Sequence, residues 1–254
     1  MKLLILFLTF FMLCSCNKET SYDLFIKEIS NYQSYNAELD FLYYDEYKKT
    51  NSVIKALNNV NYPDFYTKSF NQTIFGDIML VNKLHGLSED YTINNLVTVE
   101  NVAYIKRPKE IMLIDKHVLH NYKAMFDDAL SKGINLVIYS AYRSYEKQLS
   151  LWNGVPSFDN MYLAVPGYSE HQTGLALDIS TLDDGLTKNK NAAYIYLQEN
   201  AYRFGFILRY PKDKENITGY NYEPWHYRYV GEIAEFIHNN NLTLEEYIYN
   251  YIAI

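Results

Sequence analysis

Between residues 114 and 133 the apolar side chains recur at Val118, Tyr122, Met125, Phe126, Ala129 and Leu130. Steps of three and four place them on one helical face, and Gly133 is a natural stop behind it. The segment "INLVIYSAYR" that follows reads as a strand, and Ser144 offers a cap for a helix over "YEKQLSLWN". In "GLALDIS" the pattern changes to alternation. Leu175, Leu177 and Ile179 share one side, while Ala176, Asp178 and Ser180 share the other. The first set is expected to face a core. Asp178 is expected on an open face beside the small Ala176, with Gly174 giving the backbone freedom to return His171 over that face. "NAAYIYLQENAYRFGF" predicts a helix ending at Gly205, "PWHYRYVG" a third strand, and "GEIAEFIHNN" the start of a closing helix.

Upstream the pattern is less regular. Residues 16–60 are polar, rich in Tyr and Asn, and free of Gly and Pro, with helical patches such as "SYDLFIKEI". They read as a helical stalk. From Pro63, "DIMLVNKLHGL" and "NLVTVENVAYI" read as two strands, so residues 61–111 are expected to form a small N-terminal subdomain. In residues 112–254 strands and helices alternate, but the βαβ units are too few for a doubly wound sheet. The expected fold class is α+β, a compact domain with a central, mainly antiparallel sheet flanked by helices.

Composition narrows the picture. With 254 residues and 48% hydrophobic positions the chain can bury a substantial core. Its formal charge of −7, with no basic cluster, argues against nucleic acid as a partner. The 27 tyrosines are spread along the whole length and read as compositional bias. "MKLLILFLTFFMLCSC" has one lysine, an apolar run short for a membrane span, and small residues at its end. Leu13-Cys14-Ser15-Cys16 resembles a bacterial lipobox. That resemblance implies a leader over residues 1–15, a lipid on Cys16, and a domain held at the outer face of the cytoplasmic membrane. Both cysteines lie here, so neither serves as a ligand or nucleophile in the folded domain. Nothing demands more than a monomer.

The chemistry gathers around "SEHQTGLALDIS" and "YEPWHYRY". His171 and Asp178 need a third partner, and His226 supplies it. Two histidines and one carboxylate are a typical catalytic zinc set, leaving a fourth position for water. The site then carries a net charge of about +1, which favours hydroxide over water. Glu223 is the only carboxylate of its motif and is the expected proton acceptor. Arg143, flanked by Ser140 and Ser144 with Gln148 one turn beyond, is placed to meet a developing oxyanion. His85, His117, His120 and His238 show no partner pattern and are expected as surface or helix residues.

Together "SAYRSYEKQ", "PGYSEHQTGLALDIS" and "EPWHYRYVG" resemble the D-alanyl-D-alanine carboxypeptidase family of zinc peptidases. That family includes the vancomycin-resistance D,D-carboxypeptidases and extracellular L,D-carboxypeptidases. The match runs in order over about residues 112–238. It implies zinc on His171, Asp178 and His226, Glu223 as general base, and Arg143 as the transition-state cation. It also implies Ser140, Gln148 and Ser169 around the substrate's terminal residue, with Trp225 and Tyr227 buttressing the metal strand. The implied activity is hydrolysis of a C-terminal D-alanine from peptidoglycan stem peptides. Family members often carry a longer insertion between Gln148 and Ser169, so pocket depth here is a point of departure. Two other readings exist: an endopeptidase of wall crosslinks, and a non-catalytic peptidoglycan-binding lipoprotein. A decayed module should lack at least one of the five residues, and all five are present.

Overall fold

The computed structural model describes residues 21–30, 78–83, 85–154, 163–183, 185–186 and 192–252, with isolated positions between 43 and 75. The leader with Cys16, and most of the expected stalk, lie outside these residues. Within the stalk region "SYDLFIKEI" forms helix α1 (Ser21–Ile29), whose Phe25 and Ile29 pack with Tyr43 and Ala56. No helix among the described residues is long and apolar enough to cross a membrane.

Two short antiparallel pairs precede the main sheet. Strand β1 (Ile74–Phe75) pairs with β2 (Ile78–Met79), and β3 (Leu96–Thr98) pairs with β4 (Leu113–Asp115). The second pair crosses residue 111, where the sequence suggested a boundary. Val99 and Leu80 also sit in cores shared with later elements.

Helix α2 (Lys116–Ser131) starts at Asp115, whose carboxylate accepts from the His117 and Val118 N–H groups. This occupies donors that the first turn leaves without helical partners. The predicted face is buried at Val118, Tyr122, Met125 and Ala129. Leu130 is 49% exposed, at the margin of the stripe. After β5 (Val137–Ser140), helix α3 (Tyr145–Asn153) is capped as expected by Ser144, which accepts from the Lys147 N–H.

A 3₁₀ turn (Glu170–Thr173) leads through Gly174 into β6 (Ala176–Ser180). Gly174 has φ 73°, and a Cβ there would lie 3.1 Å from the Ile93 side chain. The sharp reversal that returns His171 to the sheet therefore needs glycine. Helix α4 (Ala192–Asn200) passes into a 3₁₀ turn (Ala201–Phe204) and stops at Gly205. Strand β7 (Phe206–Leu208), short helix α5 (Glu215–Thr218) and strand β8 (His226–Tyr229) follow. Helices α6 (Ala234–Asn239) and α7 (Leu244–Tyr251) close the described chain, the latter from a Thr243–Glu246 capping box.

The main sheet has the order β5-β6-β8-β7, antiparallel throughout. This bears out the α+β expectation. Asp178 pairs directly with His226 on one side and with Ser140 on the other. Paired residues on neighbouring strands project to the same face, so these three side chains converge. The opposite face carries Leu177, Ile179 and Tyr227 into the core under α2 and α4.

Two expectations need correction. The Asp178 face is not open: every residue of β6 is buried, and Asp178 is 8% exposed. The 3₁₀ turn folds back over it, and Arg143 reaches in from the end of β5. His85 is not a surface residue but 3% exposed. Its segment makes a tight turn, with its N–H donating to Asn82 Oδ1, and Asn82 in turn reaches Glu245.

Candidate active site

His171, Asp178 and His226 are buried, and one ligand-type atom from each lies within 4.8 Å of the others. His171 comes from the 3₁₀ turn, Asp178 from the middle of β6, and His226 from the first position of β8. The rings stand nearly perpendicular, with centroids 5.0 Å apart.

The hydrogen bonds fix which nitrogens face inward. His171 Nδ1 lies 2.7 Å from the Ala141 carbonyl, which can only accept. Nδ1 therefore carries the proton, and Nε2 faces Asp178 Oδ2 at 3.4 Å. His226 Nε2 lies 3.4 Å from Glu170 Oε2, leaving Nδ1 to face Asp178 Oδ1 at 3.3 Å. Asp178 Oδ1 is buried without a hydrogen-bond partner. Two imidazole nitrogens and an unsatisfied carboxylate oxygen, all aimed at one point, fit a divalent cation of the zinc type. Three protein ligands leave a further coordination position open.

Electrostatics support this arrangement. Burial lowers the His171 pKa. Burial acts the same way on His226, but Asp178 and Glu170 outweigh it and raise that pKa to about 9. Asp178 is held well below the usual carboxylate range: burial opposes ionisation, and His171 and His226 overcome it. The pocket is thus a buried negative centre that draws positive charge.

Glu223 arrives from the loop before β8, with Oε2 3.6 Å from His226 Nδ1. Burial pushes its carboxyl up to about 8, with Asp178 adding to the effect and His226 and Arg143 opposing it. A group poised there both takes and gives a proton near neutrality. On the opposite wall, Arg143 lies 3.9 Å from Asp178 Oδ2.

Glu223 and Arg143 share with the three ligands a cavity of about 90 Å³, also lined by Ala164, Ser169, Glu170, Tyr210, Tyr220 and Trp225. Ser169 thus reaches the cavity as expected. Ser140 and Gln148 are placed differently. They stand behind Arg143, accepting from its Nη2 at 3.0 Å and its Nη1 at 2.8 Å. The strand bulge between Ile138 and Ser140 and the first turn of α3 set this geometry. Trp225 lines the cavity and packs on the core, and Tyr227 lies in that core.

Sequence reasoning missed several neighbours. Tyr210 packs on His226, with ring centroids 4.8 Å apart, and on Tyr220 at 4.7 Å. Burial raises both phenol pKa values, so both remain neutral. Lys83 lies over the Tyr220 ring at 4.7 Å, and burial lowers its pKa to about 8. Glu170 directly precedes His171, and Arg228 lies two places after His226 on the same strand face, yet neither was assigned a role. Their position within the two motifs was the available signal.

A four-stranded antiparallel sheet that presents a His-Asp-His set, a buried glutamate and an arginine to one small cavity defines a metallopeptidase-type domain. Residues 112–232 match the family model described as "VanY: D-alanyl-D-alanine carboxypeptidase". YodJ of Bacillus subtilis (strain 168) is 37% identical over 228 residues, covering 86% of this chain and 78% of YodJ. Among solved structures, the LD-carboxypeptidase LdcB is 38% identical with a TM-score of 0.63, over 72% of this chain and 95% of that one. A mutant of the vancomycin-resistance D,D-pentapeptidase VanY, in complex with Zn(II), is 38% identical with a TM-score of 0.57, over 67% and 97%. The chain belongs to the D-alanyl-D-alanine carboxypeptidase family.

Proposed function

We propose that this chain is a zinc carboxypeptidase that removes a C-terminal D-alanine from peptidoglycan stem peptides. One observation carries the reading: His171, Asp178, His226, Glu223 and Arg143 converge on a single cavity. The names of its relatives supply the substrate class.

His171 Nε2, Asp178 and His226 Nδ1 would hold the metal. When bound, zinc supplies a Lewis acid that acidifies water and polarises the scissile carbonyl. Glu223, 3.6 Å from His226 Nδ1, takes the proton of the attacking water and delivers it to the departing amine. Arg143, held in place by Gln148 and Ser140, donates to the carbonyl oxygen as negative charge develops there. Tyr210, Tyr220 and Trp225 exclude bulk water. A cavity of about 90 Å³ suits a small terminal residue.

The test is a digest of pentapeptide and tetrapeptide stems side by side, read by mass. One D-alanine should leave, the loss should stop with chelator, and zinc should restore it. Loss from the pentapeptide marks a D,D-carboxypeptidase, and loss from the tetrapeptide an L,D-carboxypeptidase. If the zinc-loaded protein shortens neither stem, the reading fails. Cleavage inside crosslinked dimers would instead mark an endopeptidase, and binding without cleavage a recognition module.

We also read residues 1–15 as a leader and Cys16 as a lipidated anchor that holds the domain outside the cytoplasmic membrane, facing the wall. Lys2, the apolar run and Leu13–Cys16 support this. Wild-type chain should incorporate a labelled fatty acid, and Cys16→Ser should abolish that incorporation. Absence of label in the wild type, or unchanged label in Cys16→Ser, would sink the lipid anchor.

A further inference from the structure

Behind the metal ligands lie four charged side chains, Glu170, Arg209, Arg228 and Glu245, each no more than 1% exposed. Two carboxylates face two guanidiniums, so the charges balance. Desolvating such a group is costly, and well-packed apolar side chains of the same volume would often be as stable or more so. Stability is therefore a poor reason for the quartet, and its contacts suggest another.

Glu170 Oε1 accepts from Arg209 Nε at 2.8 Å and from Arg228 Nη1 at 2.7 Å. These two bonds fix the plane of the carboxylate and turn Oε2 toward His226 Nε2. Arg209 is gripped by both oxygens of Glu245, at 2.8 and 2.6 Å, in a forked pair. Glu245 belongs to α7, and Asn82 also donates to it at 3.1 Å. Arg228 is anchored by donation to the Met79 carbonyl at 2.6 Å. Contacts thus run without a break from the last described helix to a metal ligand.

We propose that Glu245, Arg209 and Glu170 form a positioning relay through which α7 sets the orientation and tautomer of His226. Glu170 Oε2 holds the imidazole proton on Nε2 and keeps the Nδ1 lone pair aimed at the point it shares with His171 Nε2 and Asp178. Arg209 and Arg228 keep Glu170 from rotating away, and Glu245 keeps Arg209 in register. None of the three relay residues acts on substrate; each works through the next. The inference rests on the metal reading above. Groups that hold metal-bound histidines from behind typically change affinity by about 10–100-fold when altered.

The experiment uses the full chain, Glu170→Gln, Glu245→Gln, and Glu110→Gln as a surface control. The zinc dissociation constant is measured by competition with a chelator. The visible spectrum of each Co(II)-loaded protein reports ligand geometry. Unfolding in excess chelator reports the stability of the metal-free fold. The relay predicts zinc binding weakened by about 10–100-fold in Glu170→Gln and about tenfold in Glu245→Gln, with altered Co(II) spectra in both. Glu245→Gln, a step farther from the metal, carries the test if Glu170→Gln does not fold. Variants that unfold more easily yet keep wild-type zinc affinity and spectrum would show a merely structural network and overturn the relay. A wild-type chain that binds no zinc would overturn the metal reading together with it.

Discussion

Replacing Glu223 with glutamine should lower kcat by at least about 10³-fold while leaving zinc content unchanged. The residue is 4% exposed and is not one of the three converging candidate ligands. Glutamine fills the same volume beside His226, so packing is conserved, but its amide cannot accept a proton at neutral pH. In the proposed mechanism the wild-type carboxyl serves twice in each turnover, first as base and then as acid, which places the expected loss in the upper part of the usual range for such groups. The check is kcat on a D-alanine-terminated stem peptide, with metal measured on the same sample. A variant with near-normal kcat would remove Glu223 from the mechanism. A variant that loses its zinc would recast the residue as a ligand.

His171→Ala should separate the metal from the chemistry in the opposite sense. The His171 ring is locked by its Nδ1 contact with the Ala141 carbonyl, so Nε2 has no alternative direction. Removing it leaves one imidazole and one carboxylate, and retained zinc should fall to about a tenth of an equivalent or less after dialysis. Activity should drop to background with it. The main-chain bond from the Arg143 N–H to the His171 carbonyl survives the substitution, so the wall of the site stays in place. Stoichiometric zinc in the folded variant would show that the metal sits elsewhere.

Much of this site was readable from the chain, for a physical reason. The ligands lie on or beside short strands whose alternation is strong. In "LALDIS" three bulky apolar residues fix the core face, so Asp178 has only one direction to point. The same rule puts His226 opposite Tyr227. Helix α2 was legible from its stripe, and α3 from Ser144. Strand β7 was not, because three consecutive apolar residues directly after Gly205 are too short a run to show alternation. The burial of Asp178 and His85 was also illegible. Alternation tells which face a side chain takes but not what folds over it: Asp178 is covered by the 3₁₀ turn just upstream and by Arg143, and the turn of His85 is tied through Asn82 to Glu245. The Glu170–Arg209–Glu245 group was hidden for the same cause. Its members are 36 or more residues apart, and a charged residue in sequence reads as solvent-facing until its partners are in place.

The direct pairing of Asp178 with His226 across β6 and β8 bears on how the chain reaches its native state. A slip of one residue between these strands would turn one member of the pair to the wrong face of the sheet. Slipped arrangements would still bury apolar side chains, since the strands are short and rich in them. They could not assemble the two-histidine, one-carboxylate set. A divalent ion held by that set would stabilise only the alignment in which the set is complete. At a free concentration about a hundred times its dissociation constant it would favour that alignment by about 2.7 kcal/mol. Zinc-starved cells should then accumulate misaligned, protease-sensitive chains, and not merely inactive ones.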